Sequence, residues 1–178
     1  APEDMTCRPA GDAQAKPISL AGTWYYRTGK ALADCTPVPQ QASSNPNVCT
    51  VLYNAMIAPL VPFSIKGAVW YQGESNAGAA EQYSRLLPTL IRDWRARFQS
   101  GDFTFGIVQL ANFMAQDTEP VDDPWPNLRW AQWLTTKREP NTTLAVAIDI
   151  GDANDIHPRN KQDVGLRLAL GFLGTTYG

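Results

Sequence analysis

Histidine is almost missing from this chain of 178 residues; His157 is the only one. A metal site built on several imidazoles is thereby excluded, and any imidazole general base must be that residue. Cysteine is scarce too: Cys7, Cys35 and Cys49 all lie in the first third, without a Cys-x-x-Cys spacing, so four zinc ligands are not on offer. No basic run is present to track a phosphate backbone. Fifteen Lys plus Arg stand against 17 Asp plus Glu, and nucleic acid is not an expected partner. A membrane is not expected either, because apolar stretches such as 56–63 fall far short of the roughly 20 residues of a spanning helix and are broken by prolines. Repeats, low-complexity tracts and heptads are lacking as well. What remains is 44% hydrophobic residues over the length of one domain, enough for a packed core.

The cysteines sit in stretches rich in Pro, Ser, Asn and Gly. A Cys35–Cys49 disulfide would close a modest, turn-rich loop and leave Cys7 free or bonded to another chain. That pairing points to a secreted protein or another oxidising compartment, periplasmic, extracellular or lysosomal. Three unpaired buried thiols are the alternative. Asn141-Thr142-Thr143 is an N-glycosylation triplet of a kind frequent by chance. No signal peptide is visible, and the start Ala-Pro-Glu-Asp suits a mature terminus or an internal cut equally well.

Residues 1–47 read as a loop-rich lead-in with six prolines from Pro2 to Pro46 and one strand signal at 22–27. Residues 48–178 are regular. A short helix is predicted over 50–58, then an apolar strand over 65–71. Tyr83, Leu86, Leu87, Leu90, Ile91, Trp94 and Phe98 mark one face of a helix over 81–98, with Pro88 as a candidate kink. A strand over 103–110, a helix over 128–137, a Val/Ile-rich strand over 144–150 and a helix over 164–173 complete the chain. Strands alternating with helices predict crossover units and a parallel sheet covered by helices, an α/β fold. Three strands are few for a doubly wound sheet, so part of the sheet is expected from elsewhere.

Ligands in such sheets bind at the carboxyl ends of the strands. Those ends carry Gln72-Gly73-Glu74-Ser75-Asn76, Ala111-Asn112-Phe113, and Gly151-Asp152-Ala153-Asn154-Asp155-Ile156-His157-Pro158. A carboxylate from Asp155 or Asp152 could accept the Nδ1 hydrogen of His157 and fix its tautomer, as triad chemistry requires. The plainer reading makes these aspartates turn and helix-cap residues. Amides in the first loop, Gln72 foremost, could donate to a developing oxyanion, and Gly73 permits a close backbone approach. The plainer reading there is that Ser75 or Asn76 caps the next helix.

Several of these motifs together resemble one family. Trp70-Tyr71-Gln72-Gly73-Glu74-Ser75-Asn76-Ala77, Asp155-Ile156-His157-Pro158 and Asn160-Lys161-Gln162-Asp163-Val164-Gly165 are similar to the sialate O-acetylesterases and related acetyl xylan esterases. Tyr53 to Leu60 and Val108 to Phe113 resemble them too, and the likeness runs from about Pro17 to Gly178. It implies a flavodoxin-like SGNH hydrolase fold in three layers with a parallel sheet, incomplete in this chain. It also implies a carboxylic ester hydrolase that takes acetyl groups off sugar hydroxyls through a Ser-His-Asp triad, without cofactor or metal. His157 matches the base and Asp155 the acid partner, although Asp-x-His replaces the Asp-x-x-His usual in such enzymes, which keeps Asp152 as the alternative acid. Gln72 matches an oxyanion position, with Glu74 beside it for substrate. The family's Gly-Gln-Ser-Asn nucleophile motif is absent, leaving Ser75 as the internal alternative nucleophile. The expectation is therefore a C-terminal half-domain whose serine comes from a missing N-terminal segment or a second polypeptide, acting on an acetylated carbohydrate. A catalytically inactive carbohydrate-binding module of the same fold is the alternative.

Overall fold

The computed structural model describes residues 6–7, 14–19, 23 and 48–178. The chain divides into two compact units, Ala1–Asn45 and Pro46–Gly178. In the first, the short strands β1 (Thr6–Cys7) and β2 (Ile18–Ser19) pair antiparallel. The strand expected over 22–27 lies outside the described residues, apart from Thr23. Cys35 lies outside them as well. The bridge expected between Cys35 and Cys49 therefore falls outside the described residues, of which Cys49 is exposed.

The second unit is a three-stranded parallel sheet in the order β3 (Gly67–Trp70), β4 (Thr104–Val108), β5 (Thr142–Ala145). Gly67 pairs with Thr104 and Phe105 with Thr142, so the three strands end at nearly the same level. Helices α1 (Ala80–Phe98) and α2 (Pro124–Arg138) form the two crossovers, and α3 (Lys161–Phe172) follows β5. Phe105, Ile107, Leu87, Ile91 and Leu128 make the core under α1 and α2. Val108, Ala145, Val164 and Leu168 make the core under α3. β4 is buried along its whole length, as a strand covered on both faces must be. Each large side chain wholly buried here, such as Phe105, contributes about 1.5–3 kcal/mol.

Local chemistry explains the helix ends. Asp123 caps α2 by accepting from the Trp125 N–H at 2.8 Å, and Pro124 at the first position starts the helix at no hydrogen-bonding cost. The helix therefore begins four residues earlier than its apolar pattern indicates. Asn160 caps α3, accepting from the Asp163 N–H, while its own amide donates to the Asp163 carboxylate at 2.7 Å. Pro88 stands inside α1 and cannot donate to the carbonyl of Ser84. Arg138 from α2 donates to that carbonyl instead, at 3.4 Å. Before the sheet, Tyr53–Ile57 forms a π-helical turn that runs into the 3-10 turn Ala58–Leu60.

β5 departs from expectation. Val/Ile content predicts a strand over 144–150, but the ladder runs over Thr142–Ala145 because its partner β4 ends at Val108. Val146 and Ile148 lie beyond it, exposed. At the opposite, amino pole, the buried Arg95 donates to the carbonyls of Phe103, Pro140 and Asn141. A concavity of about 510 Å³, lined by Arg92, Arg95, Asp102 and Glu139, lies at that pole, away from the carboxyl ends of the strands. No described helix is long and apolar enough to cross a membrane.

Candidate active site at the carboxyl ends of the strands

Parallel topology brings the three expected loops to one pole, and the structure shows how they are fastened. Past the end of β3, the Gln72 carbonyl has no ladder partner. It accepts from the Tyr83 hydroxyl at 3.1 Å and from Gln132 Nε2 at 3.2 Å. Burial raises the Tyr83 phenol above its ordinary value, so the hydroxyl stays neutral and able to donate. The Trp70 indole N–H donates back to it at 3.1 Å. Gly73 lies so close to α2 that a Cβ there would stand 2.7 Å from Leu128 Cδ2 and 3.1 Å from Gln132 Nε2. The chain then enters a 3-10 helix, Glu74–Ala79, with Glu74 half-buried in its first turn and Ser75 exposed. Neither Ser75 nor Asn76 caps α1, contrary to the plainer expectation. The cap residue is Ala79, with no side-chain bond, and Asn76 Oδ1 instead accepts from Gln72 Nε2 at 2.8 Å. One of the two amide hydrogens of Gln72 is thus engaged, and the other has no partner among the described residues.

The loop after β4 is pinned from the side by the buried Trp125, whose indole N–H donates to the Ala111 carbonyl at 2.8 Å. Asn112 then reaches the third loop. Its Oδ1 accepts from the Gly151 N–H at 2.7 Å, and the Met114 N–H donates to the Ala153 carbonyl at 3.0 Å. Asn112 packs so tightly on Gly151 that any side chain there would collide with it. The third loop is held on its other side by Arg167 of α3, which donates to the Val146 carbonyl at 2.6 Å and pairs with both Asp149 oxygens at 2.6 and 2.7 Å. Those hydrogen bonds hold the Asp149 carboxyl down to about 2. A depressed carboxyl gives stability that is complete above the unfolded value near 3.8 and is lost as pH falls through about 2. Arg167→Met is expected to move the Asp149 midpoint up toward 3.8 in a carboxyl carbon NMR titration. A midpoint that stays near 2 would assign the shift to something other than Arg167.

Within this loop the two aspartates differ. Asp152 Oδ1 accepts from the Asn154 N–H at 2.8 Å, closing a turn on itself. Asp155 Oδ1 accepts from the His157 N–H at 2.9 Å and lies 3.6 Å from His157 Nδ1, near but short of a side-chain hydrogen bond. Arg159 Nε stands 3.9 Å from the other Asp155 oxygen. Ile156 packs against the core under α1 and α2, while the His157 side chain is 89% exposed. The Lys161 ammonium lies 4.4 Å over the Tyr71 ring and 3.3 Å from its hydroxyl, linking the start of α3 to the residue before Gln72. The described residues hold no cluster of three or more metal-ligating side chains.

Among the described residues Asp155 bonds to the His157 N–H and the Asp152 carbonyl accepts from the Asp155 N–H at 3.3 Å, whereas no bond joins Gln72, Glu74 or Ser75 to any of the three. Gln132, Tyr83 and Trp125 escape a sequence reading because helical periodicity treats Tyr83 and Trp125 as apolar and passes over Gln132. The one available signal is a glutamine on the apolar side of α2 between Leu128 and Thr135.

A family described as carbohydrate esterase, sialic acid-specific acetylesterase, matches residues 37–173. The sialate O-acetylesterase of Homo sapiens is 38% identical over 192 residues, which cover 91% of this chain and 36% of that protein. The sialate O-acetylesterase of Mus musculus is 41% identical over 158 residues, 79% of this chain and 29% of its own. A solved carbohydrate acetylesterase from Xanthomonas citri superposes with a TM-score of 0.66 at 48% identity, over 71% of this chain and 30% of that one. The chain thus spans about a third of the length of the curated relatives it matches.

Proposed function

The chain belongs to the sialic acid-specific acetylesterase family of carbohydrate esterases, and on that footing we propose that it is the histidine-bearing part of an enzyme that hydrolyses acetyl esters on sugar hydroxyls. The observation that carries the reading is the placement of the only imidazole of the chain, exposed at the carboxyl pole with Nδ1 turned toward Asp155. His157 takes the proton of a serine hydroxyl as its oxygen attacks the acetyl carbonyl, then returns that proton to the sugar oxygen as the ester bond breaks. Water, deprotonated by the same imidazole, releases acetate from the acyl-serine. Asp155 holds the Nδ1 hydrogen, and the 3.6 Å separation shortens to a hydrogen bond once substrate is in place. The free amide hydrogen of Gln72 faces the oxyanion, and Glu74 accepts from a sugar hydroxyl.

The serine belongs to a segment outside this chain, contributed by the same precursor or by a second polypeptide. Among the described residues β3 and β5 each pair on one side only, and Val69 on the β3 edge is 55% exposed. Leu166, Leu170 and Leu173 form an exposed stripe on α3 and past its end, opposite the buried Val164 and Leu168. An open edge beside bare apolar surface calls for a covering segment. The test is acetate release by the full-length protein from O-acetylated sialic acid, acetylated xylo-oligosaccharide and p-nitrophenyl acetate. Saturable sugar binding without acetate from any of them would establish the inactive binding module instead.

A further inference from the structure

We propose that Gln132, on α2, is a positioning residue for the reaction: it holds the Gln72–Gly73 peptide in the one orientation that leaves the Gln72 amide facing the oxyanion. The inference rests on the reading of Gln72 as oxyanion donor. Gln132 is completely buried, and besides a side-chain interaction with Tyr83 it bonds three main-chain groups at the carboxyl ends of β3 and β4. Its Oε1 accepts from the Leu110 N–H at 3.0 Å, while Nε2 donates to the Gln72 carbonyl at 3.2 Å and the Val108 carbonyl at 3.3 Å. These groups sit where the β3–β4 ladder has ended, at Trp70 and Ile107, and an apolar residue on α2 would leave the Leu110 N–H without this partner.

A bond that served the sheet alone would not need to reach Gln72. Here the Gln72 carbonyl takes two donors from two different helices, Tyr83 of α1 and Gln132 of α2, which fixes the plane of the following peptide. Gly73 is wedged against Leu128 and against Gln132 itself, so the peptide has little room to rotate. With its backbone fixed, the Gln72 side chain leaves in one direction, and Asn76 on the next turn steadies its amide. α2 thus reaches Gln72 without touching substrate. Small misplacements of a reacting group carry large rate penalties, so the effect belongs in kcat rather than in KM.

The experiment uses the full-length protein, with Gln132→Leu and Tyr83→Phe as variants and Thr135→Val as a control one turn along the same buried helix face. Gln132→Leu is expected to lower kcat about ten- to a hundredfold with KM within about twofold of wild type. In a Gln72→Ala background the same substitution should cost less than about twofold further, because the residue it positions has gone. An equal loss in both backgrounds overturns the inference. The side-chain amide signals of Gln72, assigned through Gln72→Ala in a 15N-labelled sample, are expected to shift in Gln132→Leu and Tyr83→Phe but not in Thr135→Val. Should Gln132→Leu fail to fold, Tyr83→Phe removes the other donor to the same carbonyl and carries both measurements. Unmoved Gln72 amides in folded variants overturn the positioning role, whether or not the protein is an esterase. Moved amides in a protein that releases no acetate sustain the positioning role and remove only the esterase reading.

Discussion

His157→Ala in the full-length protein is expected to lower kcat by about 10⁴- to 10⁶-fold while the melting temperature stays within a degree or two of wild type. The size of the loss follows from the site: His157 is the one imidazole of this chain, and Asp155 and Arg159 beside it offer charge rather than a second imidazole to take the proton. The small stability effect follows from structure. The imidazole is 89% exposed, and the bond that shapes the turn comes from the His157 backbone N–H to Asp155, which alanine keeps. Steady-state acetate release beside a calorimetric scan checks both halves. A variant that retained a tenth of the turnover would remove His157 from the chemistry, and one that unfolded would make the loss uninformative about catalysis and contradict the exposed placement.

Asp155→Asn should cost about 10³- to 10⁴-fold in kcat, and Asp152→Asn less than about tenfold. Of the two carboxylates, Asp155 stands 3.6 Å from Nδ1, where a negative oxygen can hold the imidazole tautomer and steady the imidazolium. An asparagine of the same shape keeps the turn but removes the charge, and can present an N–H where an acceptor is needed. Asp152 spends Oδ1 on the Asn154 N–H, two residues along its own loop, and an asparagine oxygen makes the same turn. Comparison of kcat for the two variants at fixed pH decides between them. If Asp152→Asn proves the more damaged, the acid partner is Asp152 and the Asp-x-His spacing has misled.

The layers of this fold were legible in the chain because apolar runs and helical periodicity report burial directly. β4 is read within two residues at each end, since a strand covered on both faces admits almost no polar residue. α1 is read within one residue of its start, Pro88 notwithstanding, because the cost of that proline is met by Arg138 on another helix, a remedy periodicity does not carry. β5 was misplaced for a complementary reason. Val146, Ile148 and Ile150 have strand-like side chains, but a strand exists only where its neighbour offers a ladder, and β4 stops at Val108. The 3-10 helix Glu74–Ala79 was missed because Gly73 and Gly78 argue for a turn. At the candidate site, Gln72, Asp155 and His157 stood out in the sequence by residue type and by their place past the strand ends. Gln132, Tyr83 and Trp125 did not, since each lies on a helix face where periodicity sees packing and is blind to the hydrogen bond at the tip of the side chain.

Because neighbours in the sheet are also neighbours in the chain, each parallel pairing closes only one crossover, and among the described residues β3 and β5 are the two edges of the sheet. A sheet built in that order comes apart most easily from an end. β3 and β5 are each held to β4 by one ladder of four residues, and beyond β3 the Gln72 carbonyl takes donors from two helices. The loop that carries His157 is thus fastened mainly by single side chains of Asn112 and Arg167, and the loop that carries Gln72 by donors on two helices. Asn112→Ala or Arg167→Met in the full-length protein is therefore expected to lower the temperature at which acetate release is lost more than it lowers the melting temperature.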